Sequence, residues 1–108
     1  MNSALPFETQ HCHTMQEVRT HIDALDARLV ALMAERSTYV AQAARIKNNP
    51  ELIVDVQRIE YIIDRVRSMA AELGAPPDVA EVTYRAMIGA FIEFERAEWN
   101  RLRSEGSV

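Results

Sequence analysis

Apolar residues recur along this chain at three- and four-residue steps in three separate runs, and nowhere do they alternate at every second residue. That pattern predicts helices and no strands. The first run, Val18, Ile22, Leu25, Leu29, Leu32, Met33, Val40, Ala43 and Ala44, meets neither proline nor glycine before Pro50. It predicts one unbroken helix of about 35 residues, roughly three times the usual length. Thr14-Met15-Gln16-Glu17 has the form of a capping box, so the helix should begin there. Such a helix extends roughly 50 Å, too long for a compact chain of this size to bury alone, and it predicts a second chain lying along it.

Pro50 holds Asn49 in extended geometry, and residues 48–54 read as a connecting loop. Asp55 is placed to cap a second helix, whose apolar stripe is Ile59, Ile62, Ile63, Val66, Met69, Ala70 and Leu73. Gly74 is positioned to stop it in a left-handed turn. Pro76, Pro77 and Asp78 open a third helix, carried by Val79, Val82, Ala86, Ala90, Phe94 and Trp99 towards Leu102. Residues 1–13 have no sustained period and read as a flexible leader, 14–103 as the helical domain, and 104–108, with Gly106, as a fraying tail. The expected fold is all-α: three helices, one very long, in an intertwined homodimer.

Composition narrows the function classes. The chain has 108 residues, 48% hydrophobic and 26% charged, which fits one globular domain and excludes general disorder. A net charge of -4 argues against nucleic acid as a partner. One cysteine, Cys12, allows no internal disulfide, no apolar run is long enough for a membrane span, and no signal peptide is evident, so the expected location is cytoplasmic. His11-Cys12-His13 offers metal-capable side chains, but adjacent residues converge poorly on one ion. No metal and no cofactor are expected. Asp23 and Asp26 suit the helix dipole or a nearby arginine better than acid–base chemistry.

The basic residues carry the candidate chemistry. Arg36 and Lys47 lie eleven residues apart, which returns to within roughly 20° of the same helix face, beside Met33 and Val40. One reading is snorkelling, with apolar stems packed and charged heads in water. The other is an anion pocket, since cations on an inward face need paired anions and a dicarboxylate would supply them. Arg19 stands roughly 42 Å from Lys47 along one straight helix and reaches it only if a second copy lies antiparallel. The pocket would then be composite.

These residues carry a resemblance. Met15-Gln16-Glu17-Val18-Arg19, Ile22-Asp23-Ala24-Leu25-Asp26, the spacing of Arg19, Arg36 and Lys47, and Asp55-Val56-Gln57-Arg58 resemble the all-helical chorismate mutases over about residues 14–100. The resemblance implies a homodimer in which Arg36 and Arg58, with Arg19 of the partner subunit, hold the two carboxylates of chorismate, while Lys47 donates to its ether oxygen. Asp55 would join the substrate-binding set. The rearrangement to prephenate is pericyclic and needs no nucleophile. It requires a held conformer and stabilised charge on that oxygen.

Three positions depart from the family's common pattern. Ile59 stands where a glutamate often binds the ring hydroxyl, and Phe91 replaces a small polar residue. Together with a loop between Lys47 and Arg58 one residue shorter, these resemble the isochorismate pyruvate lyases, which make salicylate and pyruvate. Glu95 takes the place of a glutamine that donates to the ether oxygen, and a carboxylate donates only when protonated, so activity should improve as pH falls. The alternative for Glu95 is a solvent-facing partner of an arginine. The leading expectation is a chorismate mutase with Lys47 and Glu95 catalytic and Arg19, Arg36, Asp55, Arg58, Ile59 and Phe91 at the substrate. The alternatives are the lyase with weak mutase activity, and a helical interaction module that has lost the chemistry.

Overall fold

The computed structural model describes residues 5–105. Three α-helices and one short turn of 3-10 helix follow one another: α1 at Met15–Ile46, the 3-10 turn at Pro50–Leu52, α2 at Val56–Leu73 and α3 at Pro77–Glu105. No strand occurs among the described residues, and the chain is all-α. Two compact units divide within α1, at Met1–Arg36 and Ser37–Val108.

In the first unit, residues 5–13 have no regular secondary structure. The Thr14 Oγ1 accepts from the Glu17 N–H at 3.1 Å, and the Glu17 Oε2 reaches back to the His13 N–H at 3.0 Å. The expected capping box thus forms, with its return bond one residue earlier than usual. Ile22, Leu25, Leu29, Leu32 and Met33, the stripe that predicted a covering chain, are all exposed. Among the described residues, no helix is long and apolar enough to cross a membrane.

In the second unit the local signals act as read. Asp55 is extended, and its Oδ1 accepts from the Arg58 N–H at 3.0 Å, capping α2. Gly74 closes α2 at φ 81°, a left-handed conformation that costs other residues about 1–2 kcal/mol. The Ala75 N–H then bonds the Ala70 carbonyl at 2.8 Å, completing a Schellman turn. Pro77 starts α3, with the Pro76 carbonyl accepting from Val79 and Ala80. Helix α2 packs on α3, and Ala44, Ile53, Ile63, Ala70 and Ile88 are buried. Across the α2–α3 pair, Arg85 reaches both Glu60 oxygens at 3.0 Å and Arg67 bonds Asp78 and Glu81, while within α3 Arg85 also bonds Glu81 at 2.7 Å.

Helix α1 ends at Ile46, beside the connecting loop expected from residue 48, and α3 side chains bond the Ala44 and Lys47 carbonyls at this end. The connecting segment differs from the sequence reading, because it is not irregular throughout. Asn49 is extended, as a residue before proline should be, and its side chain accepts from the Glu51 N–H at 2.9 Å. That cap, with Pro50 in the first turn, builds the 3-10 helix, and buried Ile53 pins its far end. Helix α3 continues to Glu105, while Gly106 and the rest of the expected tail lie outside the described residues.

Candidate functional site

Lys47 is the first residue beyond α1, and its N–H still bonds the Ala43 carbonyl at 2.9 Å. Its side chain runs to α3, where Nζ donates to the Glu95 Oε2 at 2.7 Å. Glu95 is 7% exposed and, among the described residues, is the buried charged side chain. The Lys47 side chain is 26% exposed, so the pair sits at a boundary with its cation on the wetter side. A carboxylate left in such a place without a cation would be strongly disfavoured, and Lys47 supplies one. Glu95 is therefore withdrawn from most of the solvent and pairs with a lysine, unlike the solvent-facing arginine partner that was its alternative in sequence. In this pair Glu95 accepts a hydrogen bond from the ammonium, whereas the sequence reading asked it to donate one.

The Lys47 backbone is held as well. The Trp99 Nε1 donates to the Lys47 carbonyl at 3.0 Å, and the Arg103 guanidinium donates to the same oxygen and to the Ala44 carbonyl at 2.7 Å. The Arg103 Cζ lies 4.4 Å from the Trp99 ring centroid, a cation–π contact. Sequence reasoning took Trp99 for core and passed over Arg103. The signal was present in the spacing: Glu95, Trp99 and Arg103 follow at four-residue steps, on one face of α3.

The remaining candidates divide between the two units. Arg19 is exposed and Arg36 half-buried, both on α1 in the first unit. In the second unit Asp55 spends one carboxylate oxygen on the α2 cap. Arg58 is exposed, its guanidinium 5.1 Å from the Tyr61 ring centroid. Ile59 is half-buried, with its N–H on the Asp55 carbonyl at 2.9 Å. Phe91 is half-buried one turn before Glu95, edge-on to Phe94 with ring centroids 6.1 Å apart. The structure thus brings Lys47 and Glu95 into contact and sets Asp55 and Arg58 together at the start of α2.

His11 and His13 meet edge to face at 4.9 Å, and the Cys12 Sγ donates to the Gln10 carbonyl. Among the described residues, no group of three or more histidine, cysteine, aspartate or glutamate side chains is arranged to hold a metal ion.

Comparison with known proteins adds two findings. The family model described as chorismate mutase type II matches residues 18–96. A protein named chorismate mutase from Methanocaldococcus jannaschii is 31% identical over 75 residues, which cover 68% of this chain and 76% of that protein. The matched span runs from the first turns of α1 through Glu95 and includes every candidate substrate residue named above.

Proposed function

The chain belongs to the chorismate mutase type II family, and on that premise we propose that it converts chorismate to prephenate. One observation carries the reading beyond membership: the chain's single lysine is built into a half-buried pair with Glu95, at the end of a helix where α3 side chains bond the Ala44 and Lys47 carbonyls. A cation confined in this way is a preorganised donor, suited to an oxygen on which negative charge develops.

In this reading Arg36 and Arg58, with Arg19 of a second copy, hold the substrate carboxylates, and Lys47 faces the ether oxygen. Asp55 orients the start of α2 and thereby Arg58. The substrate's ether oxygen takes the Lys47 ammonium in place of Glu95, which can join it at that atom only in its protonated form. The reaction breaks the ether C–O bond while forming the new C–C bond, so no covalent intermediate with the protein arises. The protein's part is to select a compact conformer and to stabilise charge. The exposed stripe of Ile22, Leu25, Leu29, Leu32 and Met33 supports a homodimer, since so large an apolar face needs cover.

A second reading has its own observation. Ile59 and Phe91 are half-buried apolar side chains where a mutase often has polar ones, which favours isochorismate pyruvate lyase activity. The test gives purified protein each substrate in turn. Prephenate from chorismate at the higher kcat/KM supports the mutase; pyruvate release from isochorismate at much higher efficiency reverses the order. Turnover of neither makes the chain a non-catalytic helical module.

A further inference from the structure

Helices α1 and α2 end in different ways. At the end of α2, Gly74 and Ala75 fold back and satisfy the carbonyls of Ala70 and Ala71 with their own N–H groups. Helix α1 is followed by Lys47, Asn48 and Asn49, with no glycine, and its end is satisfied from α3. The Arg103 Nη1 bonds the Ala44 carbonyl, while Nη2 bonds the Lys47 carbonyl and reaches the Arg45 carbonyl at 3.4 Å. The Trp99 indole shares the Lys47 carbonyl, and the guanidinium lies over the same indole. A positive charge at a helix C-terminus is favourable in itself. Any cation would give that much. The fork does more, because it ties the carbonyls of Ala44, Arg45 and Lys47 to a fixed point on α3.

That fixed point stands on the same face of α3 as Glu95. Lys47 is therefore gripped at both ends: its carbonyl by Trp99 and Arg103, its ammonium by Glu95. A lysine side chain is a flexible four-carbon stem, so its charge is only as well placed as the backbone that carries it. We propose that Arg103 and Trp99 are positioning residues for Lys47, a clamp that fixes its backbone so that the ammonium arrives at the level of Glu95. The assignment rests on the mutase reading for its kinetic consequence, though the clamp itself has a separate readout.

The experiment compares Arg103→Ala, Arg103→Lys and Trp99→Phe in the full chain, with and without Lys47→Ala. Arg103→Ala should lower kcat for chorismate roughly ten- to a hundredfold, the scale of a small misplacement of a reacting group, with a smaller change in KM. Arg103→Lys restores charge at the helix end but not the fork, so it should recover thermal stability without recovering kcat. In the Lys47→Ala background, Arg103→Ala should have no further effect on kcat, because its target is gone. Recovery of kcat by Arg103→Lys, or an equal loss with and without Lys47, would reduce Arg103 to a structural cap and overturn the proposal. Trp99→Phe keeps a ring beneath the guanidinium and loses only the donor. Its smaller loss of kcat, also absent in the Lys47→Ala background, decides the matter if Arg103→Ala does not fold.

Trp99 is the chain's single tryptophan, so its emission reports the clamp directly. Arg103→Ala should red-shift that emission and speed amide exchange at Lys47. Wild-type protein inert towards chorismate would refute the mutase reading, and the clamp would then stand or fall on these two signals. Unchanged emission and exchange in Arg103→Ala would overturn it.

Discussion

Replacing Lys47 by alanine removes the ammonium and leaves the Glu95 carboxylate, at 9% side-chain exposure, without its cation. The effect on turnover follows from the loss of one preorganised donor at a developing charge, about 3–4 kcal/mol or roughly 10²- to 10³-fold in kcat. Stability is a separate quantity. Exposed ion pairs contribute about 0.2–1 kcal/mol, whereas removing one partner of a fully buried pair costs about 3–5 kcal/mol. Lys47 is 26% exposed and truncation opens a path for water to Glu95, so the loss should be about 1–2 kcal/mol. For a chain of this size each kcal/mol lowers Tm by roughly 4–8 °C. The two quantities come apart in the double variant Lys47→Ala with Glu95→Leu, where neither an unpaired charge nor a new donor remains. Its Tm should recover while its kcat stays low. Chorismate consumption followed by absorbance, beside thermal melts by circular dichroism, measures both. A Lys47→Ala variant within about threefold of wild-type kcat would refute the reasoning, and so would activity that recovered together with Tm.

The other predictions concern the scaffold. Arg85 holds the Glu60 and Glu81 carboxylates below their ordinary value of 4.5, through hydrogen bonds first and charge second. Since the folded values are depressed, this contribution is fully present above about pH 4.5 and is lost as pH falls below it through the folded values. Urea midpoints measured from pH 6 to pH 3 should therefore drop in wild type and drop less in Arg85→Leu; parallel curves would contradict this. Gly74→Ala places a side chain at φ 81° and should cost about 1–2 kcal/mol by chemical denaturation, without touching kcat. A neutral effect on stability would mean that the turn relaxes.

What could be read in the sequence follows the range of the interactions involved. The start of α1 at Thr14, the Asp55 cap and the left-handed Gly74 are set by neighbours within three or four residues, so local rules found them. The bonds that satisfy the end of α1 were not legible, because the side chains that make them, Trp99 and Arg103, come from the far end of α3. The 3-10 turn after Asn49 was legible in principle, since an asparagine before Pro50 is a capping signal, but the proline was read only as a breaker. At the site, Lys47 and Glu95 were each chosen for a role at the same ether oxygen. Their direct pairing was not foreseen, since nothing local fixes which residue of α3 meets the end of α1. Arg103 was missed because its four-residue step from Trp99 marks a shared helix face without showing what that face meets. Its meaning lies in the carbonyls it reaches.

The central claim is that one pocket takes Lys47 from one chain and Arg19 from another. Complementation tests it most directly, by co-expressing Arg19→Ala with Lys47→Ala and measuring chorismate turnover of the mixture. Each variant alone has both pockets damaged. In a two-fold dimer with shared pockets, half of the randomly mixed molecules carry one pocket with both residues intact, so about a quarter of wild-type activity should return. A mixture no more active than the mean of the two variants, in protein sedimenting as a mixed dimer, would contradict the account.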